Sequence, residues 1–197
     1  MALPDPTDEA AYDERLAKYT IGGARPLTAP ITICDYDPVW AQLYGAEEAR
    51  IRAILRDRVV RVEHVGSTSV PGLPAKPIID IVLEVPNSGD ETAYVPDMEA
   101  AGYLLRIREP DWFEHRLFKG PGVNINAHTF SANCPEVDRM LLFRDWLRDN
   151  RADRDAYASK KRELAARDWK YAQQYADAKT PVILEIMARA TDRPPEL

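Results

Sequence analysis

Four small residues in a row, Gly66-Ser67-Thr68-Ser69, stand between two runs of β-branched and aliphatic residues. A turn of this kind can aim several backbone N–H groups at one anion. Lys76 and Asp80 follow, and Asp80 is the one early charge in an otherwise apolar strand expected over 77–85. A carboxylate inside such a strand is costly without a partner. Lys76 or Arg116 could serve. His128 closes a run in which Val123, Ile125 and Ala127 alternate with Asn124, Asn126 and His128. The second set forms a polar strand face, which needs partners or a cleft. Arg116 and Lys119, on the preceding run, are cations available to an anion, with ordinary surface charge as the bland alternative. At about 100° per residue, Tyr157, Lys161, Leu164, Asp168, Tyr171, Tyr175 and Lys179 fall on one stripe of a helix expected over 153–178. Tyr175 and Lys179, near a helix junction, are the phosphate candidates. Tyr157 and Lys161 are expected to pack and snorkel. His64 reads equally as a core histidine or a ligand, and His115 as a surface residue.

The elements that must position these residues can be read in part. The pattern predicts strands over 59–65 and 77–85, joined by the Gly-Ser turn and Val70-Pro71-Gly72-Leu73-Pro74. The second strand is apolar enough for burial on both faces. Upstream, a short strand is expected over 30–34. A helix then starts at Asp37-Pro38 and runs to about Arg56. Downstream come a helix over 91–101, a strand over 103–108, and a hairpin whose arms, 114–119 and 122–130, flank Gly120-Pro121-Gly122. Three helices follow, over 135–149, 153–178 and 181–190. The chain thus divides into an N-terminal arm (1–28), an α/β core (29–134) and a C-terminal helical segment packed on it (135–197).

Composition narrows the classes. With 45% hydrophobic and 29% charged residues, the chain is an ordinary globular one. Residues 1–138 carry 13 Lys+Arg against 22 Asp+Glu, and residues 139–197 carry 13 against 10. The net −6 argues against duplex nucleic acid as a partner. The basic back end suits one phosphorylated small molecule. No apolar run is long enough to span a membrane, and the two cysteines have neither disulfide-framework nor zinc-site spacing, so a cytoplasmic location is expected. Walker-type, dinucleotide-binding and nucleophile-elbow motifs are absent.

The stretch HVGSTSVPGLPAKPIIDI resembles the signature of the GrpB family. Arg116-Leu117-Phe118-Lys119, the strand ending at His128, Leu142 to Arg148, Tyr157 with Lys161, and Tyr175 with Lys179 resemble the family's later blocks. The resemblance covers about residues 30–190. It implies an α+β fold: a nucleotidyltransferase-like mixed β-sheet flanked by helices, as in the superfamily of DNA polymerase beta. That fold implies binding of a nucleoside triphosphate with Mg2+ or Mn2+ and transfer of a nucleotidyl group to a small acceptor. On this resemblance Gly66, Ser67, Thr68 and Ser69, with Lys76, Arg116, Lys119, Tyr175 and Lys179, contact the nucleotide. Asp80 and His128 are the catalytic and metal-binding pair. The superfamily pairs its first carboxylate with a second two residues on, and here that position is Val82; Glu84 lies one strand repeat further. The later strand offers Asn124, Asn126 and His128 in place of a third carboxylate. The alternative is therefore a non-catalytic nucleotide- or coenzyme A-binding module. Proteins of this kind are sometimes joined to dephospho-coenzyme A kinase.

Overall fold

The computed structural model describes residue 5 and residues 7–192, so the outermost parts of the arm and of the helical segment lie outside it. Five strands form one sheet: β1 (Arg61–Val65), β2 (Ile79–Val85), β3 (Leu104–Glu109), β4 (His115–Lys119) and β5 (Ile125–Ser131). Their order is β1-β2-β5-β4-β3. The sheet is mixed: β2 and β5 run parallel and the other neighbours antiparallel. Helices α1 (Glu9–Tyr19), α2 (Val39–Leu55), α3 (Val95–Ala100), α4 (Pro135–Asp149), α5 (Arg151–Ala165), α6 (Ala172–Ala178) and α7 (Thr180–Thr191) surround it.

Strand alternation divides β2 between two layers. Ile79, Ile81, Leu83 and Val85 face one side and pack with Trp40, Ile51 and Leu55 of α2 and Met98 of α3. Each buried aliphatic side chain contributes about 1.5–3 kcal/mol. Val82 faces the other side, with Val65, Phe130, Cys134 and Val137, beneath α4. Asp80 shares that side, and it is the one position of β2 that is not buried. Helix α4 covers Val82, and Asp80 keeps part of its side chain accessible. A third apolar cluster joins Val70 and Leu73, just after the Gly-Ser turn, to Leu147, Tyr157, Ala158 and Ile186. It seats the C-terminal helices beside the opening.

Three expected elements differ. The helix expected over 91–101 begins only at Val95, after a 3-10 turn over Glu91–Ala93. Over 30–34 there is no strand, only a bridge between Cys34 and Ala75 with backbone bonds of 2.8 and 2.9 Å. Ala75 lies between Pro74 and Pro77, which have no N–H to donate, so pairing cannot extend. The single helix over 153–178 is two. Trp169 folds back so that its indole N–H donates to the Leu164 carbonyl at 2.8 Å, closing α5. Gln174 accepts from the Tyr171 N–H at 2.8 Å and opens α6. The N-terminal arm is anchored: Tyr12 is fully buried and its hydroxyl donates to Asp177 of α6 at 2.8 Å.

Candidate functional site

Asp80 forms the floor of a recess in the open face of the sheet and keeps 29% of its side-chain surface accessible. Gly66 lies directly against it. Its φ is +68°, and a Cβ there would stand 2.4 Å from Asp80 Oδ2. Only glycine gives the turn both that backbone conformation and that approach. Within the turn, side chains divide. The Thr68 hydroxyl donates to the Ile78 carbonyl at 3.0 Å, and the Ser69 hydroxyl donates to the Gly66 carbonyl at 2.6 Å. Both side chains are buried and hold the turn's shape. Ser67 stays half-exposed and bonds the Tyr157 hydroxyl.

Register places the neighbours. Asp80 pairs with Asn126 across β2–β5, and Asn126 with Lys119 across β5–β4. The Asn126 amide donates to Asp80 Oδ1 at 2.7 Å and its oxygen accepts from the Lys119 ammonium. Three further lysines come from outside the sheet. The ammoniums of Lys76 and Lys179 lie 5.7 and 4.9 Å from the centroid of the Tyr175 ring. Lys161, on α5, donates to the Pro74 carbonyl and lies 5.2 Å from the Tyr157 ring. The Tyr175 hydroxyl is buried without a hydrogen-bond partner.

Burial governs the electrostatics. It holds Lys76, Lys119 and Lys179 below the usual ammonium range, against the pull of Asp80. Lys161 is drawn down to about 6 by burial, with the Lys179 charge adding to it. Burial raises Asp80, opposed by the Asn126 hydrogen bond and then by Lys179, Lys119 and Lys76. Cations and carboxylate are all short of solvation, a condition that an entering anion relieves for the lysines.

His128 reaches the same recess from β5, its Nε2 3.9 Å from Asp80 Oδ1. Burial, then the neighbouring His115 and Lys119, keep it well below the usual imidazole range. Behind it stand His115 and Glu109. His115 is buried and not at the surface, because β3, Trp112 and Phe130 enclose it. His64 lies on the other side of the sheet, stacked on Tyr44 at 4.7 Å and bonded to Thr68 at 3.1 Å. Burial, then Arg148 and Arg144, draw it down to about 4. It is a core histidine.

The recess therefore brings together Gly66, Ser67, Lys76, Asp80, Lys119, His128, Tyr175 and Lys179, and Lys161 borders it through its interaction with Asp80 and Lys179. Arg116 does not join them. It stands an odd number of residues from Lys119 on β4, so it faces the opposite side. There its Nε donates to Glu91 at 2.5 Å. Glu84 is likewise remote: its Oε2 pairs with Arg61 at 2.8 Å, near the start of α4. Sequence reasoning did not assign Asn126, Tyr157, Lys161, His115 or Glu109 to the site. Counting alternate residues back from Lys119 and pairing Lys119 with Asn126 brings His115 to the face of His128; Lys161 carries no such signal.

Asp80 and His128 are the two residues here able to hold a metal. Among the described residues, no group of three or more His, Cys, Asp or Glu side chains converges on one point. This donor set fits a single ion that brings its other oxygens with a phosphate, as Mg2+ and Mn2+ do, and does not fit a resident pair of ions.

These features define an α+β protein whose mixed five-stranded sheet opens at one carboxylate ringed by lysines. Residues 30–189 match the model of the GrpB protein family, and the chain belongs to that family. It is 59% identical over 178 residues to a UPF0157 protein of Halalkalibacterium halodurans, covering 90% of this chain and 91% of that one. With a UPF0157 protein of Streptomyces coelicolor it shares 45% identity over 170 residues, 86% of this chain and 88% of the other. The crystal structure of the conserved protein GrpB from Enterococcus faecalis superposes with a TM-score of 0.69 at 29% identity, over 81% of this chain and 96% of that one. A dephospho-CoA kinase of Mycobacterium leprae is 28% identical over 204 residues, 87% of this chain and 49% of that protein.

Proposed function

We propose that the recess binds a nucleoside triphosphate through its phosphates and transfers a nucleotidyl group to a small acceptor, on a fold related to the nucleotidyltransferase superfamily. The observation that carries this reading is the convergence of Lys76, Lys119, Lys161 and Lys179 on Asp80, with His128 beside it. In this reading the lysines bind the phosphates and offset the charge that grows on the departing pyrophosphate. His128 takes the proton of the acceptor hydroxyl or amine. The freed electron pair bonds to the α-phosphorus as the bond to the bridging oxygen breaks. Asp80 would hold one Mg2+ or Mn2+ that enters with the triphosphate and, when bound, adds electrostatic stabilisation. His128 is the base in this assignment and not a ligand of that ion.

The test is calorimetric binding of ATP with Mg2+, followed by pyrophosphate release across a panel of alcohols and amines. Lys179→Ala should weaken ATP binding about tenfold or more, since a hydrogen bond to a charged group is worth about 1.5–3 kcal/mol. ATP binding that is absent, or indifferent to Lys76→Ala and Lys179→Ala, would overturn the reading.

Val82 favours a second reading. It is buried under α4 where the superfamily's second carboxylate would stand, and the donor set is correspondingly thin. A non-catalytic nucleotide- or coenzyme A-binding module needs the lysines and not the metal, and the similarity to dephospho-CoA kinase is in keeping with such a ligand. Tight binding with no pyrophosphate released from any of the four nucleotides would select it.

A further inference from the structure

Behind His128 runs an unbroken chain of hydrogen bonds. Glu109 ends β3, His115 begins β4 and His128 lies within β5. Glu109 Oε2 stands 2.7 Å from His115 Nδ1, and His115 Nε2 stands 3.1 Å from His128 Nδ1. Both distances are within hydrogen-bonding range. His115 is 3% exposed. Its ring stacks on Phe130 at 4.9 Å and on His128 at 5.2 Å, and meets Trp112 edge-on at 5.2 Å, so packing fixes its orientation.

The order of donors along this chain follows from one end. An ionised carboxylate only accepts, so His115 Nδ1 carries a hydrogen. In the neutral ring the other nitrogen then holds the lone pair and accepts. His128 Nδ1 must therefore carry a hydrogen, which leaves the lone pair on His128 Nε2. That atom faces the recess. Its separation of 3.9 Å from Asp80 Oδ1 is too long for a hydrogen bond, so Asp80 does not reverse the assignment.

We propose that Glu109 and His115 are positioning residues that lock His128 in the Nδ1–H tautomer and present its Nε2 lone pair to the acceptor in the recess. The inference rests on the transfer reading above for what His128 acts upon, and on hydrogen-bond order alone for the tautomer. In the step it serves, the acceptor's O–H or N–H bond breaks and the proton passes to His128 Nε2. The electron pair of that bond becomes the nucleophile. The imidazolium so formed still donates from Nδ1 to His115 Nε2, and the Glu109 carboxylate at the far end offsets its charge. The proton is lost to water once the product has left.

Long-range 1H–15N NMR of ligand-free, 15N-histidine-labelled protein at neutral pH reads the tautomer directly. Free histidine favours Nε2–H, so an Nδ1–H signal at His128 is a specific result. It should persist in Glu109→Gln, whose amide oxygen still accepts, and be lost in Glu109→Leu. An Nε2–H His128 in the unaltered protein, or a doubly protonated His115 donating to it, overturns the proposal without any variant having to fold. In pyrophosphate release, Glu109→Leu should lower kcat by about tenfold or more and leave the KM for nucleotide nearly unchanged. Equal kcat in Glu109→Leu and the unaltered enzyme overturns the positioning role. An Nδ1–H His128 in a protein that releases no pyrophosphate upholds the tautomer and sinks the transfer reading alone.

Discussion

Lys161 is almost wholly buried and its ammonium titrates at about 6. In the unfolded chain a lysine stays protonated to about pH 10.4. Between those values the unfolded state binds a proton that the folded state lacks, so the contribution of this residue to stability rises with pH across the window. Lys76, Lys119 and Lys179 act in the same direction. Lys161→Met should flatten the pH dependence of urea denaturation between about pH 6 and 10 and raise stability near pH 7 by about 1 kcal/mol or more. It should at the same time weaken pyrophosphate binding. An unchanged pH slope would mean that Lys161 is ordinarily solvated. Gly66 is a steric counterpart. Gly66→Ala places a methyl group 2.4 Å from Asp80 Oδ2 at a φ of +68°, and should cost about 1–3 kcal/mol in equilibrium unfolding. Asp80→Ala in that background should restore part of the loss; strict additivity of the two changes would show that the contact is not the cause.

At the scale of elements, the recess depends on how α5 and α6 meet. Tyr157 and Lys161 sit on α5, Tyr175 on α6 and Lys179 just after it. The break between them turns one helical stripe into a corner that reaches Asp80 from outside the sheet. The arm holds α6 in place: Asp177 accepts from Tyr12 at 2.8 Å and from Arg15 at 2.7 Å. Lys170 and Tyr171 donate to Asp13 at 2.8 and 2.7 Å. Asp177→Ala should cost about 2–3 kcal/mol, since it leaves a buried hydroxyl and a guanidinium without their acceptor. Hydrogen exchange should then quicken in α1 and α6 and stay slow in β2 and β5. Unaltered protection in α6 would show that the arm is merely attached. The strands of the sheet were legible because a half-buried strand alternates in type and a doubly buried one does not. The helix break was not, because Trp169 and Leu27 close it by contacts that periodicity does not contain.

For the whole molecule, a net charge of −6 coexists with four lysines in one recess. If the recess binds ATP as proposed, the binding is local and desolvated, so raising the salt from 0.05 to about 0.5 M should weaken ATP far less than it weakens a surface patch. Chelating divalent metal should likewise reduce binding less than the double change Lys76→Ala/Lys179→Ala, measured by calorimetry; the reverse order would make the metal, and not the lysines, the main phosphate partner. The amino-acid sequence by itself determined the family, the strands β1 and β2, and the placing of the Gly-Ser turn beside Asp80. These are local: a turn needing glycine, a strand needing apolar side chains, a carboxylate out of place among them. Tertiary structure alone decided which distant cations reach Asp80. Lys119 and Arg116 have the same composition signal, and strand register sends one to the recess and the other to Glu91. It also decided that His115 is a buried partner of His128 and that Lys161 is a desolvated lysine. Charge and hydrogen-bond order depend on what encloses a residue, and that is fixed only when the sheet, the helices and the arm have packed.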